Sequence, residues 1–258
     1  MLGLSNIEKY YSPPERVFKR NILREYLQCK ILEIVFDSPQ GKKLAFLGGT
    51  ALRLIYGNSR FSEDLDFDDF GINEKDFSLL ADCIKRGLEA QGCKVEIKNV
   101  FKGAYRSYIK MPEILFDNNL SDLREEKIMI QVDTVPHAFD YKKDLKIINK
   151  FDVFTQVNVA PIDLSLAQKI YAALNRKRAK GRDFFDIVFL LPLTPPNYQY
   201  LSAKLGIENG KQLKDTLLSK TKNLNFNELA KDAAPFIING ADAKKITMFR
   251  AYIESFQF

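Results

Sequence analysis

An α+β fold, with strands and helices interleaved in the N-terminal half and helices alone in the C-terminal half, is predicted by three features of this chain. Strict alternation runs through 127–134, where Ile128, Ile130 and Val132 point one way and Met129, Gln131 and Asp133 the other. A short apolar segment over 44–47 runs into Gly48-Gly49-Thr50, the composition of a strand that turns into a helix. From residue 162 the apolar positions change to helical spacing, with Leu164, Ala167, Ile170, Tyr171 and Leu174 on one stripe.

The remaining elements follow in order. Ser12-Pro13-Pro14-Glu15 combines a capping serine, proline at the first helical position and a glutamate three residues on. It opens a helix on which Phe18, Ile22, Leu23, Tyr26, Leu27, Ile31, Ile34 and Val35 recur at helical spacing, until Ser38-Pro39-Gln40-Gly41 breaks it. After the strand at 44–47 a short helix reaches Tyr56, Gly57-Asn58-Ser59 turns the chain, and a strand covers 64–67. Asn73 caps a helix carrying Phe77, Leu80, Ala81, Ile84 and Leu88, and strands follow at 95–101, 105–111 and 127–134. A helix over 183–191 comes next; Pro192, Pro195 and Pro196 interrupt, and further helices with polar linkers reach Phe258. Two domains are expected, an α/β domain over 1–155 with its N-terminal helix and a helical domain over 156–258.

Composition narrows the class. With 46% hydrophobic residues in 258, the chain can bury a sizeable core. A net charge of +6 favours polyanionic partners through long-range attraction. Cys29, Cys83 and Cys93 are odd in number and lack Cys-x-x-Cys spacing, so neither a disulfide framework nor a zinc site is expected. His137, the single histidine, argues against a His-based metal site. No apolar run is long enough to span a membrane and the N-terminus lacks a signal-like apolar stretch, so a soluble cytoplasmic protein is expected.

The chemistry is carried by carboxylates. Asp64 and Asp66 lie two apart, which on a strand puts both on one face and Leu65 and Phe67 on the other. Two anions held a few ångströms apart repel each other, so the pair calls for a cation, and hard oxygen ligands select Mg²⁺ or Mn²⁺. Asp133, on a separate strand, is a third carboxylate of the kind a two-metal phosphoryl-transfer site uses, and it is suited to take a proton from the attacking hydroxyl. Gly48-Gly49-Thr50 brings the N–H groups of a helix start towards a phosphate, with Thr50, Ser62 and Arg60 offering further donors. Each feature alone has a plain structural explanation: a turn, a solvated strand face, a cap. Their joint order and spacing favours the functional one.

Gly48-Gly49-Thr50 followed by Arg60-Phe61-Ser62-Glu63-Asp64-Leu65-Asp66-Phe67 resembles the signature of the DNA polymerase β-like nucleotidyltransferase superfamily. The form Arg-Phe-Ser-x-Asp-Leu-Asp-Phe resembles its AbiEii/AbiGii toxin branch, which includes the MenT-like toxins. Leu164-Ser165-Leu166-Ala167-Gln168-Lys169, Arg176, and Arg182-Asp183-Phe184-Phe185-Asp186-Ile187 are similar to that branch's Lys, Arg and Lys-Asp-x-x-Asp motifs, with Arg182 where a lysine is expected. The resemblance covers about 44–191. It implies a polymerase β-like core, a mixed sheet flanked by helices, followed by an α-helical region. It implies Asp64 and Asp66 as metal ligands, Lys169 as a nucleotide-phosphate contact with Arg182 beside it, and an essential aspartate at Asp186 or Asp183. It further implies a toxin of a bacterial toxin–antitoxin or phage-defence pair that moves NMP from an NTP to RNA, the tRNA 3′ end above all, with a cognate antitoxin as partner. Taken by themselves, Lys169 fits a surface lysine lying along apolar surface, and Asp183 fits an N-cap. The basic run 176–182 fits either a solvated connector or a grip on an RNA or NTP backbone. Nucleotidylation of a small molecule or protein, and a non-catalytic binding module, are the competing readings; intact Asp64, Asp66 and Asp133 oppose the second.

Overall fold

The computed structural model describes residues 1–136 and 139–258, so His137 lies outside the described residues. The chain divides into two compact units, residues 1–57 with 61–160, and residues 58–60 with 161–258.

The first unit is built on one seven-stranded sheet. Its strands are β1 (Leu44–Leu47), β2 (Leu65–Asp69), β3 (Glu96–Lys102), β4 (Ala104–Pro112), β5 (Lys127–Pro136), β6 (Asp144–Lys150) and β7 (Val153–Val159), in the order β3-β4-β5-β2-β1-β7-β6. The sheet is mixed: β2 runs parallel to β5 and β1 to β7, and the other neighbours are antiparallel. Helices α1 (Lys19–Asp37) and α3 (Glu74–Glu89) belong to this unit, as does the shorter α2 (Gly48–Tyr56). Phe46, Phe67, Ile130, Val132 and Val157 on the sheet are buried, as are Ile31, Leu32 and Val35 of α1 and Phe77, Ile84 and Leu88 of α3. The Phe36 ring at the end of α1 lies 6.1 Å from Phe67, and Phe77 of α3 lies 5.6 Å from Tyr105. These contacts place both helices on one face of the sheet. Each fully buried aromatic or aliphatic side chain there contributes roughly 1.5–3 kcal/mol.

Two features of this unit depart from the sequence expectation. The capping box at Ser12 and Glu15 forms, but its helix lasts one turn, Pro13–Arg16. Phe18 leaves helical geometry (φ −90°, ψ 48°), its ring rests 5.7 Å from Phe61, and α1 starts afresh at Lys19. The β6–β7 hairpin was not expected at all. Its two-residue turn, Phe151-Asp152, puts a phenylalanine at φ 60°, with none of the Asn-Gly or Asp-Gly chemistry that marks such turns. Packing accounts for it: the Phe151 ring is 8% exposed and sits 5.0–6.0 Å from Tyr10, Tyr11 and Tyr26.

The second unit is helical: α4 (Ile162–Asn175), α5 (Gly181–Leu190), α6 (Tyr198–Leu205), α7 (Gly210–Lys220), α8 (Phe226–Ala233) and α9 (Phe249–Ser255), with shorter turns between. Asn197, Asn209 and Asn225 each accept a backbone N–H at the start of α6, α7 and α8, as Asn73 does for α3. Such a cap is worth about 1 kcal/mol. Phe184, Phe226 and Phe249 form an aromatic core with centroids 4.9–5.6 Å apart. Gly181 starts α5 hard against α8; a Cβ there would overlap the Leu229 carbonyl oxygen. Among the described residues, no helix is long and apolar enough to cross a membrane.

Candidate active site

In the first unit the site grows from the junction of β1 and α2. Leu47 is the register partner of Asp66 on antiparallel β2, and the chain passes at once into the helix through Gly48. Gly48 has φ +79°, and a Cβ on it would overlap the Asp66 carboxylate. Only glycine permits both the conformation and the approach. The N–H groups of the first turn of α2 have no intrahelical partners, and this positive helix end lies beside the Asp66 charge.

Thr50 was expected on a phosphate. It is 1% exposed instead, and its hydroxyl donates to the Asp64 carbonyl at 2.5 Å, bracing the segment that leads into β2. Ser62 is held through its backbone, its carbonyl accepting from Gln28 Nε2 at 3.2 Å. Asp64 and Asp66 are both partly exposed.

Across the sheet, Asp66 is in register with Asp133 of parallel β5, and Asp133 with Arg106 of β4. Arg106 donates from Nε to Asp133 Oδ1 at 2.7 Å, and Gln131 Nε2 donates to Oδ2 at 2.7 Å. Hydrogen bonding to Asp133, with Tyr108 next, raises the ionisation of Arg106. Asp68 extends the same alternation, as a reading of Asp64-x-Asp66 one step further along the strand would have found. It accepts a hydrogen bond from Tyr141 Oη at 2.7 Å, and burial, then the Asp68 charge, pushes that phenol up. Among the described residues, no group of three or more His, Cys, Asp and Glu side chains stands ready to hold a metal ion. The fit to Mg²⁺ or Mn²⁺ therefore rests on the two hard-oxygen donors Asp64 and Asp66, with Asp133 committed to Arg106.

The second unit holds a separate charge cluster. Asp186 is fully buried, and Arg60 clasps it with Nε to Oδ1 and Nη2 to Oδ2, both at 2.6 Å. Asn58 Nδ2 donates to Oδ1 at 2.8 Å, and Lys169 Nζ lies 2.9 Å from Oδ2. Lys169 also lies 3.5 Å from Asp183, whose other oxygen lies 3.1 Å from Arg176 Nε. Burial alone would raise the Asp186 carboxyl, but Arg60 and Lys169 outweigh it and hold the group down at about 2. Arg60, expected on nucleotide phosphates, is 2% exposed and committed to Asp186. Arg182 stacks its guanidinium 4.3 Å from the Phe236 ring centre. The part played by Asn58 and the pairing of Arg60 with Asp186, 126 residues apart, carry no local sequence signal.

The mixed sheet, with carboxylates on its strands beside a glycine-opened helix, is a fold shared with solved nucleotidyltransferase-like structures. The chain is similar to JHP933 from Helicobacter pylori (TM-score 0.54, 18% identity, 91% of each chain covered). It is equally similar to a second H. pylori protein described as a nucleotidyltransferase (TM-score 0.55, 20% identity, covering 91% of this chain and 94% of that one). Residues 30–253 match the profile of the family described as nucleotidyl transferase AbiEii toxin, Type IV TA system. The chain belongs to this family and is a nucleotidyltransferase. Comparison with curated protein sequences finds no significant match.

Gly48→Ala is expected to lose about 10²-fold in transfer rate, the order of effect that a misplacement of about 1 Å at a reacting site produces. It should also cost about 1–2 kcal/mol of stability, because a side chain is placed at positive φ. A transfer assay and urea unfolding check both; a variant with the wild-type rate would show that the Gly48–Asp66 approach is dispensable.

Proposed function

We propose that the chain transfers NMP from an NTP to an RNA hydroxyl, with the tRNA 3′ end as acceptor, and that Asp64 and Asp66 hold Mg²⁺ or Mn²⁺ for the reaction. The observation that supports this best is the setting of Asp66, between the helix start at Gly48 and its register partner Asp133. Mg²⁺ commonly takes one or two protein carboxylates and completes its shell with substrate phosphates and water, which suits a two-carboxylate donor set. When bound, the ion neutralises charge on the phosphate oxygens and makes the attacking hydroxyl more acidic.

The bond from the acceptor oxygen to the α-phosphorus forms as the bond from that phosphorus to the bridging oxygen of pyrophosphate breaks. The hydroxyl proton passes to Asp133, which Arg106 and Gln131 hold in position. In the second unit Lys169, 14% exposed, is the cation we assign to a nucleotide phosphate, with Asp186 as the positioning residue that fixes it. Family membership brings an NTP and an antitoxin partner into this reading.

Incubation with each α-labelled NTP and Mg²⁺, with total tRNA or without RNA, tests the proposal. Label is expected on the RNA, and chelation by EDTA should remove it. Label confined to protein or to a small molecule would overturn the acceptor assignment, and transfer undiminished by EDTA would overturn the metal.

A further inference from the structure

We infer that the face of β3, β4 and β5 opposite the helices is the track on which a single-stranded RNA lies as its end approaches Asp133 and Asp66. This rests on RNA being the acceptor. Register fixes which side chains share the face. One row across the strands reads Val100, Arg106, Asp133, Asp66; the next reads Lys98, Tyr108, Gln131; a third reads Glu96, Lys110, Met129. The residues between them, Ile109, Met111, Ile128, Ile130 and Val132, are at most 2% exposed and belong to the helix-covered side.

The face therefore displays five cations, Lys98, Lys102, Arg106, Lys110 and Lys127, against two carboxylates, Glu96 and Asp133. Lys127 takes Glu96 and Arg106 takes Asp133, each at 2.7 Å, which leaves Lys98, Lys102 and Lys110 as surplus positive charge. Lys98 and Lys102 are exposed, Tyr108 is half-buried beside Lys98 and Met129 is 42% exposed. Strands are spaced about 4.8 Å apart, so Lys98 lies roughly three spacings from the row position of the β2 carboxylates. Sequence-tolerant single-strand binding surfaces combine a positive path for the backbone with an aromatic plane on which a base stacks. Lys98, Lys102 and Lys110 supply the path, Tyr108 the plane, and the row through Arg106 leads to Asp133. An acidic protein would use the lysines but has no base to lay on Tyr108.

The test is anisotropy of a short labelled single-stranded RNA with a free 3′ hydroxyl, titrated with the full chain over a range of salt without NTP. Lys98→Ala, Lys102→Ala and Lys110→Ala combined should weaken binding tens of fold. The slope of log affinity against log salt should fall by about 2, since each phosphate contact on a single strand contributes about 0.7. The same three positions as arginine should restore both values. Tyr108→Leu should weaken binding about tenfold with the salt slope unchanged. Lys75→Ala with Lys85→Ala, on α3, should change nothing. A triple alanine variant with wild-type affinity and slope overturns the track, as does poly-glutamate displacing the RNA as well as unlabelled RNA does. If the wild-type chain and the triple variant bind and label RNA alike, only the track fails; if no form binds RNA, the acceptor reading fails with it.

Discussion

Asp66→Asn is expected to lower nucleotidyl transfer by about 10³-fold or more with the fold intact. The substitution keeps the shape of the side chain and removes the charge beside the helix start at Gly48, where the metal-bound triphosphate is proposed to sit. Several kcal/mol of charge stabilisation at the reacting phosphate depend on a bound metal, and about 4 kcal/mol corresponds to a factor of 10³. The fold should tolerate the change because β2 is anchored from its other face, by Leu65 and Phe67, both at most 1% exposed. Asp133→Asn should cost about 10²–10⁴-fold, the range of a lost general base. Rates with labelled NTP, read beside thermal unfolding, decide the matter. Wild-type turnover in Asp66→Asn, or an unfolded variant, would contradict the assignment.

Asp186→Ala should be the most damaging substitution for stability, at about 3–5 kcal/mol. Removing the carboxylate takes away the charge that both Arg60 and Lys169 face, and Arg60, at 2% exposed, cannot replace it with water. A double variant, Asp186→Leu with Arg60→Met, should recover much of the loss, because replacing both charges by apolar groups of similar volume removes the more deeply buried cation together with its carboxylate, while Lys169 keeps Asp183. The ion pair also gives a pH signature. The Asp186 carboxyl ionises at about 2 in the fold against an ordinary 3.8. A depressed carboxylate contributes in full above its unfolded value, so the contribution is complete above about pH 4 and is lost as the pH falls towards 2. It amounts to about 2 kcal/mol. Urea midpoints measured from pH 6 to pH 2 should fall more steeply for the wild-type chain than for the double variant; parallel curves would show that Asp186 does not carry the acid sensitivity.

Much of this protein could be read along the chain, wherever a local rule decided the outcome. The alternation at 127–134, the helix stripe from Leu164 and the cap at Asn73 depend on neighbours two to four residues away, and each appears where expected. Asp66 on its strand and the two glycines at 48–49 belong to the same kind, since strand periodicity and backbone freedom are local properties, whereas Asp64, expected on that strand, precedes it, because β2 starts at Leu65. What local rules do not encode is who sits opposite whom. The β6–β7 hairpin turns on Phe151, which holds a left-handed conformation because three tyrosines enclose its ring, so contacts through space replaced the usual turn residues. Arg60 and Thr50 looked like phosphate donors in sequence, and folding buried both as internal braces, one on Asp186 and one on Asp64. Strand order put Arg106 beside Asp133 and set a net surplus of lysine charge and a tyrosine on the same face. The carboxylates and their alternation were therefore present in the linear chain, but strand pairing and burial chose which charges meet which partner, because a pair interaction depends on distance in space and not on separation along the chain.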